Sequence, residues 1–70
     1  GGGMREGLYY RLDCMNALAS GLYKASDFTG DEEAIETASN YEATLTKEEY
    51  RNGERLSSKL LYDPREGLRE

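Results

Sequence analysis

Histidine, tryptophan and valine are absent from this 70-residue chain, and cysteine, proline, phenylalanine and isoleucine occur once each, as Cys14, Pro64, Phe28 and Ile35. Each gap excludes something. Without histidine there is no Ser–His or Cys–His pair and no ordinary neutral-pH proton shuttle. One cysteine and no histidine cannot furnish a zinc site, and a lone cysteine cannot close an internal disulfide. That cysteine usage suits a reducing compartment, so a cytoplasmic location is expected. No apolar run approaches the roughly 20 residues needed to cross a bilayer, and no signal-peptide pattern follows Met4. Phosphate-cradling glycine motifs are missing as well. No cofactor and no metal are expected, and the chain reads as a binder rather than an enzyme.

What remains is acidic, helix-friendly and tyrosine-rich. The net charge is −5, and the apolar content is mainly Leu, Ala, Tyr and Met. Scarcity of β-branched residues favours helix over strand. The expected fold is therefore all-α, a small three-helix domain with short connections over residues 4–63. Gly1–Gly3 reads as a remnant of cloning, and residues 64–70 as a flexible C-terminal tail.

Helical periodicity supports that expectation. Met4, Leu8, Leu12, Met15, Leu18, Ala19 and Leu22 fall on one face at about 100° per residue, which predicts a first helix from about residue 4 to 24. Tyr9 and Tyr10 lie off that stripe, Tyr10 nearly opposite it. Thr29 and Glu32 have capping-box spacing ahead of a second helix over about 30–43, with a thin stripe of Ala34, Ile35, Ala38, Tyr41 and Leu45. Asp31, Glu32 and Glu33 place negative charge in its first turn, where the helix dipole favours it. Thr46 and Glu49 form a second capping box and Leu45 and Tyr50 a hydrophobic staple, opening a third helix that Asp63-Pro64 ends. Gly53 and Ser57, small and four apart, would admit a neighbouring helix. A competing reading takes Asn52-Gly53 as a turn that splits this segment; the continuous helix is preferred.

Two candidate ligand features are tested and set aside. Asp27-Phe28-Thr29-Gly30-Asp31 starts like a calcium loop, but an EF-hand beginning there would need Gly and Glu where Glu32 and Ala38 stand. Cys14 sits at the edge of the apolar stripe and reads as a small half-buried hydrophobe.

Charge asymmetry is more informative. Between Asp27 and Glu49 eight acids face Lys47 alone, a local charge of −7, while the flanks together carry +2. Either this reflects solvated helix faces, with Arg51 or Arg55 bridging to acids of helix 2, or it marks an acidic contact surface. Arg51, Arg55 and Lys59 would form a basic stripe on helix 3. Tyrosine, six residues, is suited to interfaces because it joins apolar area to a polar tip. The functional expectation is a protein-interaction module, a regulator or inhibitor docking on a basic surface of a larger protein, such as one that handles nucleic acid. Small acidic phage anti-defence proteins, some of them nucleic-acid mimics, supply the analogy of size and charge. Asp31, Glu32, Glu33 and Glu36 are the expected charged contacts, and Tyr9, Tyr10 and Tyr62 the aromatic anchors. Direct nucleic-acid or membrane binding is not expected. The alternative is a structural subunit that homo-oligomerises or completes a larger assembly.

Overall fold

The computed structural model describes residues 4–65, 67 and 68. Its architecture overturns the all-α expectation. Five strands form one sheet, β1 Gly7–Asp13, β2 Gly21–Lys24, β3 Thr44–Arg51, β4 Glu54–Asp63 and β5 Gly67–Leu68, in the order β2-β1-β3-β4-β5. Every pairing is antiparallel. One α-helix, α1 Asp31–Tyr41, and a 3-10 turn, Ala25–Asp27, complete the described elements. The protein is an α+β domain, not a helical bundle.

The first expected helix is a strand, a loop and a second strand. In β1, Leu8, Tyr10 and Leu12 share one face while Tyr9, Arg11 and Asp13 share the other, the alternation of a half-buried strand. Leu8 and Leu12 are four apart, an even number close to one helical turn, so the same leucines satisfy both periods. Past Asp13 the apolar series misleads. Asn16 makes a turn, its side-chain oxygen accepting from the Leu18 N–H and its carbonyl from the Ala19 and Ser20 N–H groups. Ser20 Oγ accepts from the Cys14 N–H and donates back to its carbonyl, closing the loop. Met15 and Leu18, expected on a core stripe, are fully exposed. Cys14 is half-buried.

The third expected helix is a hairpin. Asn52 and Gly53 both hold positive φ, 54° and 82°, as a two-residue turn between antiparallel strands requires. The turn reading of Asn52-Gly53 is thus the right one, because its local chemistry outweighs the weak helical spacing around it. Thr46 and Glu49 lie inside β3, so they cap nothing, and Leu45 and Tyr50 do not staple a helix. Gly53 is at the turn and Ser57 in β4, so no helix-packing groove exists there. Register shifts at Leu45/Thr46 and Glu49/Tyr50 insert one extra β4 residue each.

The second expected helix is real, though shorter than 30–43. Glu33, rather than Glu32, reaches back to Thr29, accepting its backbone N–H at 2.7 Å and its hydroxyl at 3.2 Å. Glu42 closes the C-terminus in the left-handed conformation, its N–H meeting the Ala38 and Ser39 carbonyls. Topology explains where the helix goes. β2 and β3 both run antiparallel to β1 and flank it, so the connection between them crosses one face of the sheet. Ala34 and Ala38, fully buried, let α1 lie close against Tyr10, Leu12, Ala43, Leu45 and Leu61. Phe28 packs edge-on to Tyr10 at 5.2 Å and to Tyr23 at 6.3 Å. Among the described residues no helix covers the opposite face of the sheet.

Asp63-Pro64 ends β4, as the proline suggests. Within the expected tail, β5 pairs with Tyr62 and Asp63. Gly1–Gly3, Glu66, Arg69 and Glu70 lie outside the described residues.

Candidate functional sites on the two faces of the sheet

On the face away from α1, Glu48 is the centre. Its side chain is 1% exposed, as little as most of the core, yet it lies on the side of the sheet that faces water. Four donors converge on its two oxygens. Arg11 gives Nε to Oε2 at 2.9 Å and Nη2 to Oε1 at 3.2 Å, while Tyr50 donates its hydroxyl to Oε1 at 2.7 Å. Arg55 adds Nη1 to Oε2 at 3.4 Å. Tyr9 stands edge-on to Tyr50 at 5.4 Å, and the Arg5 guanidinium lies 5.7 Å from the Tyr50 ring centre. Strand alternation creates this grouping, since Tyr9 is registered with Glu48 and Tyr50 with Arg55. Burial alone would raise the Glu48 pKa. Hydrogen bonds from Arg11, then from Tyr50, hold it below the usual glutamate range, and Arg11's own bonds to Glu48 and to the Tyr50 hydroxyl raise the Arg11 pKa. The carboxylate is permanently ionised at neutral pH and unsuited to proton transfer there.

On the face covered by α1, Asp31 joins the helix start to the sheet. It accepts the Tyr10 hydroxyl and the Lys47 ammonium, the latter at 3.0 Å, and Lys47 lies 5.8 Å over the Tyr10 ring. Burial, reinforced by the bond to anionic Asp31, pushes the Tyr10 phenol up to about 12. The Tyr10 bond, then that of Lys47, lowers Asp31.

The sequence-nominated residues separate into three groups. Tyr10 is 2% exposed and in the core, so it offers no surface anchor; the helical spacing that turned it outward does not exist. Asp31 is half-exposed but engaged within the molecule, and Tyr9 is half-buried in the Tyr50 cluster. Glu32, Glu33 and Glu36 are exposed on the outer side of α1. Glu32, Glu36 and Tyr62 come together with Ile35, Ser39 and Asn40 around one shallow open depression between α1 and the end of β4.

Sequence reasoning missed Glu48, Arg11 and Arg55 as a group. Arg55 bonds Glu48 of the neighbouring strand rather than an acid of α1, and Arg51, Arg55 and Lys59 form no stripe, because strand register sends Arg55 and Lys59 to opposite faces. The signal available was the alternation Thr44, Thr46, Glu48, Tyr50 beside Tyr9, Arg11, Asp13, which only a strand reading exposes.

Among the described residues no group of acids or cysteine is arranged to hold a metal, and no helix is long and apolar enough to cross a membrane. The fold and its two polar clusters define a small α+β domain with a solvent-facing sheet. No family model matches the chain, and no curated protein or solved structure matches it either.

Proposed function

We propose that this chain is a protein-binding module, a regulator or inhibitor that docks through the acidic outer side of α1 onto a basic surface of a larger protein, such as one that handles nucleic acid. The observation that carries this reading is the convergence of Glu32, Glu36 and Tyr62, from separate parts of the chain, around one depression with an apolar floor contribution from Ile35. An aromatic side chain beside exposed carboxylates offers area and charge together, the combination that anchors interfaces. Among the described residues Glu32 and Glu36 meet no basic side chain, so a partner could supply one. Binding rather than catalysis is the role these groups suit, and the unpaired Cys14 is consistent with a reducing, cytoplasmic setting.

The test is a quantitative pull-down from lysate of the cells that encode the protein, comparing wild type with the triple variant Glu32→Gln, Glu36→Gln, Tyr62→Ala. A basic protein held by wild type at low salt, lost with the triple variant and kept with Glu49→Gln, supports the reading. Identical captures by all three baits would sink it.

Self-association is the second reading, and one feature favours it. β5 covers only Tyr62 and Asp63, so the outer edge of β4 from Glu54 to Leu61 has no strand beside it among the described residues. Such edges invite strand addition, although Arg55, Lys59 and the two bulges are the devices that discourage it. Light scattering over a concentration series separates the readings: a concentration-dependent dimer favours this one, a monomer throughout the first.

A further inference from the structure

We propose that Arg11 and Arg55, held side by side by buried Glu48 on the open face of the sheet, form a binding site for a single phosphate-type oxyanion. Both guanidiniums bond the same oxygen, Glu48 Oε2, at 2.9 and 3.4 Å, so they are drawn together despite like charge. Arg5 joins them over Tyr50, its carbonyl accepting the Gly53 N–H at 2.9 Å and so fixing its backbone beside the hairpin turn. Two guanidiniums therefore share one carboxylate, with the Arg5 guanidinium close by over the Tyr50 ring. The positive charge left over lies beside a desolvated group, where an added anion is attracted more strongly than in open water.

Donor geometry gives the ligand class. Arg11 spends Nε and Nη2 on Glu48 and Tyr50. Arg55 spends only Nη1, and among the described residues its Nε and Nη2 have no partner. The two side chains remain 44% and 55% exposed, so these donors reach solvent. Ser58, exposed and registered with Glu48, adds a hydroxyl on the same face. The free Nε–Nη2 fork of Arg55, with Arg11 Nη1 beside it also without a partner among the described residues, suits a tetrahedral oxyanion that can accept from both guanidiniums. The other acids nearby are placed to leave this spot open. Asp13 is on the same face but at the Thr44 end of the sheet, and Glu6 accepts the Asn52 N–H at the turn. The net charge of −5 disfavours long polyanions, so a lone phosphate or a phosphomonoester fits better than nucleic acid.

Burying Glu48 makes sense in this light. A carboxylate in that position costs desolvation, and what it secures is the fixed spacing of two guanidiniums that would otherwise move independently.

The experiment follows the Arg11 and Arg55 side-chain Nε–H resonances by NMR near neutral pH, titrating inorganic phosphate against chloride at matched ionic strength. A saturable shift with phosphate alone is expected. Arg55→Gln should raise the apparent Kd about tenfold and Arg5→Gln about threefold, with Arg65→Gln unchanged. Backbone amide spectra establish that each variant is folded. Phosphoserine binding more tightly than inorganic phosphate points to a phosphorylated partner, and the reverse order to the free ion; both support the site. Shifts that never saturate, that chloride reproduces, or that survive Arg55→Gln overturn it, as does a short single-stranded oligonucleotide that binds more tightly than either phosphate probe.

Discussion

Replacing Glu48 by glutamine preserves shape while removing one charge, and the geometry around it fixes what that does. Each oxygen of Glu48 accepts two donors: Arg11 Nη2 and the Tyr50 hydroxyl on one, Arg11 Nε and Arg55 Nη1 on the other. An NH₂ in the Oε2 place confronts two guanidinium donors and both bonds are lost; in the Oε1 place the Tyr50 hydroxyl can turn to accept it, the Arg11 Nη2 bond is lost, and the remaining bonds are no longer to a charged group. Bonds to a charged group contribute roughly 1.5–3 kcal/mol each. Two terms reduce that sum. The desolvation cost of the buried charge disappears, and both guanidiniums are more than a third exposed, so they regain water. The net loss comes to about 2 kcal/mol, a fall in Tm of roughly 8–16 °C for a domain of this size. Thermal and urea melts of Glu48→Gln measure it, with Glu49→Gln, on an exposed neighbour, expected within about 0.5 kcal/mol of wild type.

The pH dependence adds a second constraint on the same variant. Arg11 holds the folded Glu48 pKa below its unfolded value. The stability this gives is therefore complete above the unfolded value, about 4.3, and disappears as pH falls through the lower folded one. The gap between wild type and Glu48→Gln should be flat around neutrality and narrow on acidification. A gap below about 0.5 kcal/mol at neutral pH, or one unchanged in acid, would refute the reasoning about this network.

Further outcomes follow at three other positions in the molecule. Tyr10→Phe removes the buried hydroxyl bonded to Asp31 and should destabilise by about 1–2 kcal/mol in urea melts. In wild type, ultraviolet titration should find one tyrosine ionising at about 12. Because folding raises that pKa, its contribution to stability holds below the unfolded value of about 10 and is lost as pH rises through the folded one. Gly53→Ala meets only ordinary contact, the nearest atom being Met4 Cγ at 3.8 Å, but must keep φ near 82°, so a melt should show a loss of about 1–2 kcal/mol. Leu45→Ala empties a fully buried site between sheet and helix and should cost about 3 kcal/mol, measured by urea unfolding.

How much of this was legible in the residues alone varies along the chain. α1 was, because acids at its start and alanines at helical spacing agree with one another and with Thr29 before them. The strands were not. Leu8 and Leu12 fit both periods, and the residue buried in the middle of β3 is Glu48, which reverses the usual sign of the alternation signal. β4 hides its pattern further, since the bulges at Leu56 and Leu61 shift its register twice. Asn52-Gly53 was the decisive local signal, with a physical reason behind it in paired positive φ values, and it outranks capping-box spacings that any acidic stretch contains. Of the residues proposed as contacts, Glu32, Glu36 and Tyr62 were named from charge and residue type. Tyr10 was misplaced by the helix assumption. The Arg11, Glu48 and Arg55 cluster depends on pairing between distant strands, which no local spacing encodes.

The most direct test of the account replaces Tyr62 with a photo-crosslinking phenylalanine analogue and, in a second protein, replaces Ser58 on the opposite face in the same way. Irradiation in lysate should give a discrete adduct from position 62 with a basic protein, fading as salt is raised, and none of that adduct from position 58. Equal adducts from both positions, or an adduct from position 62 with an acidic protein that salt does not weaken, would contradict the assignment of the acidic helix side as the docking surface.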